Sequence, residues 1–132
     1  MSLQFSARAS FAAIVELLET SKEDYVLKVV ARPGGSGRIL LEHFFTDDSA
    51  KAFLSAVKRV WAGSDEACEA EWGVPGANLL GPPVNISWRP GFWCLTLPSG
   101  KGVTVSIRAP LFATLVGAVA DRFYLDAPEM TK

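Results

Sequence analysis

The chain has 132 residues, and its 13 basic and 14 acidic side chains leave a formal net charge of −1. This length suits one domain, residues 1–132, around a single core, and the balanced charge excludes a protein built wholly around phosphate neutralisation. No run approaches the roughly 20 apolar residues that a membrane-spanning helix requires, and two cysteines without a disulfide framework indicate the cytoplasm or another reducing intracellular compartment.

The first segment predicts a strand that runs into a helix. Leu3, Phe5 and Ala7 alternate with polar residues, which is typical of a strand. Ser10 can then cap a helix. The apolar residues that follow it at helical spacing are Phe11, Ile14, Val15 and Leu18.

The segment 25–61 predicts a β-hairpin followed by a second helix. Two runs typical of strands, 25–31 and 39–45, flank a turn rich in Gly and Pro at 32–38. The polar residues TDDS at 46–49 supply capping oxygens. The apolar stripe of the helix after them comprises Ala50, Phe53, Leu54, Val57, Val60 and Trp61.

The periodicity ends at Gly63, so we expect a long loop over 63–83 with one short helical turn through 66–72. Three short strands, VNISWR, FWCLTLP and VTVSIRA, follow as a meander whose turns contain RPG and PSGKG. Pro110 then suits the first turn of a last helix. The tail 126–132 is predicted to be frayed.

These elements predict an α+β fold with a mostly antiparallel sheet and helices on one face, in the order β-α-β-β-α-loop-β-β-β-α. The first six elements read as a ferredoxin-like βαββαβ core with an appended hairpin and helix. An alternative reading takes the chain as two ββα pseudo-repeats, over 25–61 and 92–123. The segments FSARASFAAIVELL from Phe5 and VSIRAPLFATLVGA from Val105 also resemble each other.

The sequence offers little reactive chemistry. His43 is the only histidine, and alternation places it on the strand face opposite Glu42 and Phe44, where a partly buried, hydrogen-bonded imidazole is expected. Metal ligands are not clustered, and neither glycine-rich turn opens a helix as a phosphate loop would. We therefore expect no catalytic residues, metal or cofactor, with an enzyme based on His43 as the remaining alternative.

One hairpin crowds aromatic and basic side chains together: Trp88, Arg89, Phe92 and Trp93. Further cations lie in or beside hairpin turns, at Arg32, Arg38, Lys101 and Arg108, and Arg8 ends a strand as Arg108 does. Aromatic and arginine side chains dominate protein interfaces, and they also stack single-stranded nucleic acid.

The sequence therefore predicts a non-catalytic binding or assembly module, acting as a subunit of a homo- or hetero-oligomeric complex, with no membrane partner. The alternative is RNA or single-stranded DNA binding through Trp88, Arg89 and Phe92. Which of Trp88 and Trp93 faces water is left open.

Overall fold

The computed structural model describes residues 2–9, 13–21, 24–31, 39–63, 69–72, 84–97 and 103–129. These form two halves with the same order of elements, four strands followed by one helix. The first half comprises β1 (Ser2–Ala9), β2 (Ala13–Glu19), β3 (Tyr25–Ala31), β4 (Ile39–Phe44) and α1 (Asp47–Ala62). The second comprises β5 (Glu69–Trp72), β6 (Val84–Arg89), β7 (Phe92–Leu97), β8 (Val103–Arg108) and α2 (Ala109–Arg122). The predicted α+β class is confirmed.

Each half forms an antiparallel meander. The sheets have the strand orders β1-β2-β3-β4 and β5-β6-β7-β8. The predicted hairpin of β3 and β4, the meander of β6 to β8, and both later helices are present.

The helix predicted after Ser10 is wrong, because Ala13–Glu19 forms strand β2. Ala13, Val15 and Leu17 are buried, and their spacing of two is that of a strand. Ile14 and Leu18, on the opposite face, are also apolar, so a helical spacing fitted the sequence equally well. Residues 10–12 lie outside the described residues.

The ferredoxin-like order is consequently wrong, since strand β2 stands where that order requires its first helix. The alternative pseudo-repeat matched β3, β4 and α1 with β7, β8 and α2, and these elements do hold equivalent places in the two halves. The structure extends each unit by two strands. Part of the expected loop, Glu69–Trp72, forms strand β5 and pairs with β6 in place of the predicted helical turn.

The buried faces of both sheets and the two helices share one core. α1 follows the first sheet but packs against β5 and β6 of the second, whereas α2 contacts β1, β7 and β8. β1 lies alongside β8, so the two sheets adjoin at these edges. No helix among the described residues is long and apolar enough to cross a bilayer.

Aromatic rings bind the two halves together through the core. The ring of Phe112 on α2 stacks on Trp93 of β7, with centroids 4.7 Å apart and an interplanar angle of 11°. Phe112 also contacts Phe53 of α1, which in turn contacts Phe45 at the end of the first sheet. Removing one ring therefore disturbs the packing of both halves.

Candidate interaction surfaces

The first candidate surface is the face of the first sheet that points away from the core. Strand alternation places on it every second residue of the four strands. We call it the first outer face and define it by Leu3, Ser6, Arg8, Ile14, Glu16, Leu18, Val26, Lys28, Val30, Ile39, Glu42 and Phe44.

Apolar side chains form a row across the sheet at each end of the first outer face. One row joins the paired residues Leu3, Leu18, Val26 and Phe44, of which Val26 is only 1% exposed, and the other joins Ile14, Val30 and Ile39, with Arg8 at its β1 end. Leu3 is 55% exposed, Ile39 52% and Phe44 50%. Irregularities after Leu3 and between Val29 and Val30 shift the register, so that Leu3 pairs with Leu18 and Ile39 pairs with Val30 on this face.

A charged row separates the two apolar rows. Glu16 on β2 stands opposite Lys28 on β3, which stands opposite Glu42 on β4. The Lys28 Nζ atom lies 3.3 Å from a carboxylate oxygen of Glu42, and both side chains are partly exposed. The face thus has a charged band between two mainly apolar bands, one of which ends at Arg8 on β1.

The second candidate surface is the corresponding face of the second sheet. Arg89, Phe92 and Arg108 stand opposite one another on β6, β7 and β8, and all three are exposed. Phe92 is 44% exposed, and neither arginine forms an ion pair with another described residue. We call these three residues the Arg-Phe-Arg row.

Small polar side chains continue this face beyond the Arg-Phe-Arg row. Cys94 is buried, and its Sγ atom lies 3.6 Å from the Ser106 hydroxyl. The hydroxyls of Thr96 and Thr104 lie 3.3 Å apart. These groups are uncharged, so the positive charges among the described side chains of this face are those of Arg89 and Arg108.

Trp88, which the sequence analysis grouped with Arg89 and Phe92, does not lie in this exposed row. Trp88 is the cross-strand partner of Trp93, so both rings project from the opposite face toward the core. Trp93 is 1% exposed, and Trp88 is half-buried against Trp61. The predicted binding residues Arg32, Arg38 and Lys101 lie outside the described residues.

His43 lies on the strand face that alternation predicted but is more deeply buried than the partly buried imidazole expected, since it is only 6% exposed. Its Nε2 atom lies 3.1 Å from the Ser49 hydroxyl of α1. Burial lowers the pKa of His43 to about 4, so the imidazole is neutral near pH 7. Among the described residues, no three His, Cys, Asp or Glu side chains are grouped to hold a metal ion.

A cleft of about 430 Å³ lies beside the C-terminal end of α2. Tyr25, Phe45 and Phe123 contribute aromatic walls, and Asp24 and Asp47 contribute carboxylates. The Arg122 guanidinium already covers the rings of Tyr25 and Phe123, at 5.3 and 5.5 Å from their centroids. The chain's own cation thus occupies the position that a bound cation would take on these rings.

Comparisons with protein-family models, curated proteins and solved structures find no match to this chain.

Sequence reasoning missed the first outer face because it assigned β2 to a helix. A signal was nevertheless present: β2 and β3 carry apolar residues in both phases of the alternation. A strand with one solvated face normally alternates apolar and polar residues. Apolar residues in both phases are therefore unusual for a strand with one solvated face.

Proposed function

We propose that the protein is a binding module that assembles with a protein partner through the first outer face. One observation carries the proposal: Leu3, Ile39 and Phe44 expose about half of their surface at the edge strands of a face to which the inner strands add the partly exposed Ile14, Leu18 and Val30. Scattered exposed apolar residues are ordinary, but rows of them across one sheet are typical of interaction sites.

The flanking polar groups fit the same role. Interfaces combine apolar contact with charged and polar groups that select the partner. The row of Glu16, Lys28 and Glu42 supplies such groups between the two apolar rows. No catalytic chemistry is needed, and the buried His43 imidazole is not positioned to meet a substrate on this face.

The experiment compares two matched phenylalanines. Phe44→Ser removes a ring that is 50% exposed on the first outer face, whereas Phe92→Ser removes one that is 44% exposed on the second sheet. We expect self-association or co-purification of a specific protein to be lost in Phe44→Ser and retained in Phe92→Ser, with both variants folded by circular dichroism. A strictly monomeric chain with no co-purifying protein, or equal effects of both substitutions, would contradict the proposal.

The Arg-Phe-Arg row supports a second candidate function, binding of RNA or single-stranded DNA. Its aromatic ring lies between two exposed guanidinium groups on adjacent strands. A base can stack on such a ring while the arginines contact the backbone phosphates on either side. This arrangement retains Arg89 and Phe92 from the sequence prediction and replaces Trp88 with Arg108.

The same pair of variants tests this candidate with their roles exchanged. With a labelled single-stranded oligonucleotide of about 12 nucleotides at low salt, Phe92→Ser and Arg108→Glu should weaken binding. Phe44→Ser and Trp88→Phe should leave the affinity unchanged. Absence of binding at about 50 mM salt would exclude the second candidate.

A further inference from the structure

We propose that the partner of the first outer face is a second copy of this chain, packed face to face about a two-fold axis that runs along the strands between β2 and β3. This inference rests on the proposed function and adds the identity and geometry of the partner. It follows from the positions of the charged and apolar rows on the four strands.

The charged row is self-complementary under this symmetry. A two-fold axis between β2 and β3, lying in the interface, places each residue of β2 opposite β3 of the other copy. Glu16 of each copy then meets Lys28 of the other, which makes two reciprocal ion pairs. Lys28 already contacts Glu42 in its own chain at 3.3 Å, so each ammonium group lies between two carboxylates.

The apolar rows also match under the same operation. An axis along the strands leaves each row at its own level, so the apolar residues of a row meet the same row of the other copy, and Arg8, which pairs with Ile14, lies opposite Ile39 at the edge. Leu3 faces Phe44 of the other copy, and Leu18 faces β3 at the level of Val26, which is itself only 1% exposed. In the other row, Ile14 faces Val30.

The alternative orientation is unfavourable. A two-fold axis running across the strands would place each strand opposite the same strand of the other copy. Glu16 would then meet Glu16 and Lys28 would meet Lys28, and such like-charge contacts cost interface stability. Charge therefore selects the axis along the strands, and aligned packing of two sheets is a common arrangement.

The size of the face sets the expected strength of the dimer. Four strands about 4.8 Å apart and seven residues long cover roughly 19 by 23 Å, or about 440 Å² before side-chain relief. This is smaller than the ~800 Å² that each partner contributes to a standard interface. We therefore expect a dissociation constant in the micromolar range, visible as concentration-dependent sedimentation.

A charge-swap experiment tests the geometry. In a dimer of the Glu16→Lys variant, the introduced lysine of each chain faces Lys28 of the other chain. In a dimer of the Lys28→Glu variant, the introduced glutamate of each chain faces Glu16 of the other. Each variant should therefore dimerise at least ~10-fold more weakly than the unmodified chain. Mixing the two variants restores both ion pairs. In the mixed dimer the introduced lysine of one chain faces the introduced glutamate of the other, and the unchanged Lys28 of the first chain faces the unchanged Glu16 of the second. We expect sedimentation to show a heterodimer only in the mixture.

Matched controls lie outside the first outer face. Lys58→Glu on α1 and Glu129→Lys in the C-terminal segment make the same charge changes away from this face and should leave dimerisation unchanged. Thermal unfolding of each variant checks that it is folded, which matters for Lys28→Glu because it also removes the contact with Glu42.

The outcomes separate this inference from the proposed function. A chain that stays monomeric at high micromolar concentration, or a mixture of the two variants that forms no heterodimer, overturns the two-fold dimer. The proposed function fails only if, in addition, the Phe44→Ser and Phe92→Ser variants do not differ in self-association or in the protein that co-purifies with them. A dimer sensitive to Phe44→Ser but insensitive to both charge variants would overturn the geometry and keep the face.

Discussion

Trp88 and Trp93 stand directly opposite each other on β6 and β7, with their ring centroids 5.4 Å apart. Both rings also contact Trp61 of α1, at 5.2 and 6.1 Å. Because cross-strand partners share one face, the two rings turn inward together and leave Phe92 as the aromatic residue of the opposite face. A sheet of the second half is thus joined through indole rings to the helix of the first.

We expect the two tryptophans to differ in their effect on stability. Trp93→Ala should reduce the free energy of unfolding by about 3 to 5 kcal/mol, because it removes a buried ring that also stacks on Phe112. Trp88→Ala should cost less, since that ring is half-buried. Urea denaturation monitored by circular dichroism measures both, and a larger loss for Trp88→Ala would contradict the observed packing.

A pH dependence should arise from His43. Its pKa falls from 6.5 to about 4 on folding because burial disfavours the charged imidazole. The unfolded chain therefore binds the proton more readily, so this stabilisation is present above pH 6.5 and declines as the pH falls toward 4. The loss for this one group is on the order of 3 kcal/mol.

His43→Gln isolates that contribution from the acid titration of the carboxylates. The difference in unfolding free energy between the unmodified chain and His43→Gln should change by about 3 kcal/mol between pH 7 and pH 4, in favour of the variant at low pH. Urea denaturation at several pH values gives this difference. A difference that stays constant with pH would show that the imidazole is not buried in its neutral form.

Tyr124 offers a substitution expected to stabilise the protein. It follows the end of α2 with a φ of 55°, and the Leu125 N–H donates to the Ala120 carbonyl oxygen, as in a Schellman motif. Glycine adopts this backbone conformation without steric cost, and the Tyr124 ring is 94% exposed. Tyr124→Gly should therefore raise the unfolding free energy by about 1 kcal/mol.

Tyr124→Ala is the matched control for this effect, because it removes the same ring but keeps the Cβ atom that opposes the left-handed conformation. Thermal unfolding should show a gain for the glycine variant over the alanine variant. Equal melting temperatures would mean that backbone strain at this position is negligible.

Local chemistry was sufficient to predict several elements. Thr46 caps α1 and exchanges hydrogen bonds with Ser49, and Pro90 and Gly91 form the tight turn between β6 and β7, where Gly91 has a φ of 88°. These features depend on residues a few positions apart, so the sequence contains the information directly. The inward position of His43 followed from alternation in the same way.

The sequence by itself determined the α+β class, the two amphipathic helices, the hairpin turns and the scarcity of reactive groups. Only the tertiary structure decided that β2 is a strand, that Trp88 packs beside Trp93 against the core, and that α1 covers the second sheet. The physical reason is that alternation divides a strand into two faces without saying which face is covered. When both faces are apolar, as at Ile14 and Val15, packing against helices distant in the sequence decides which face is buried.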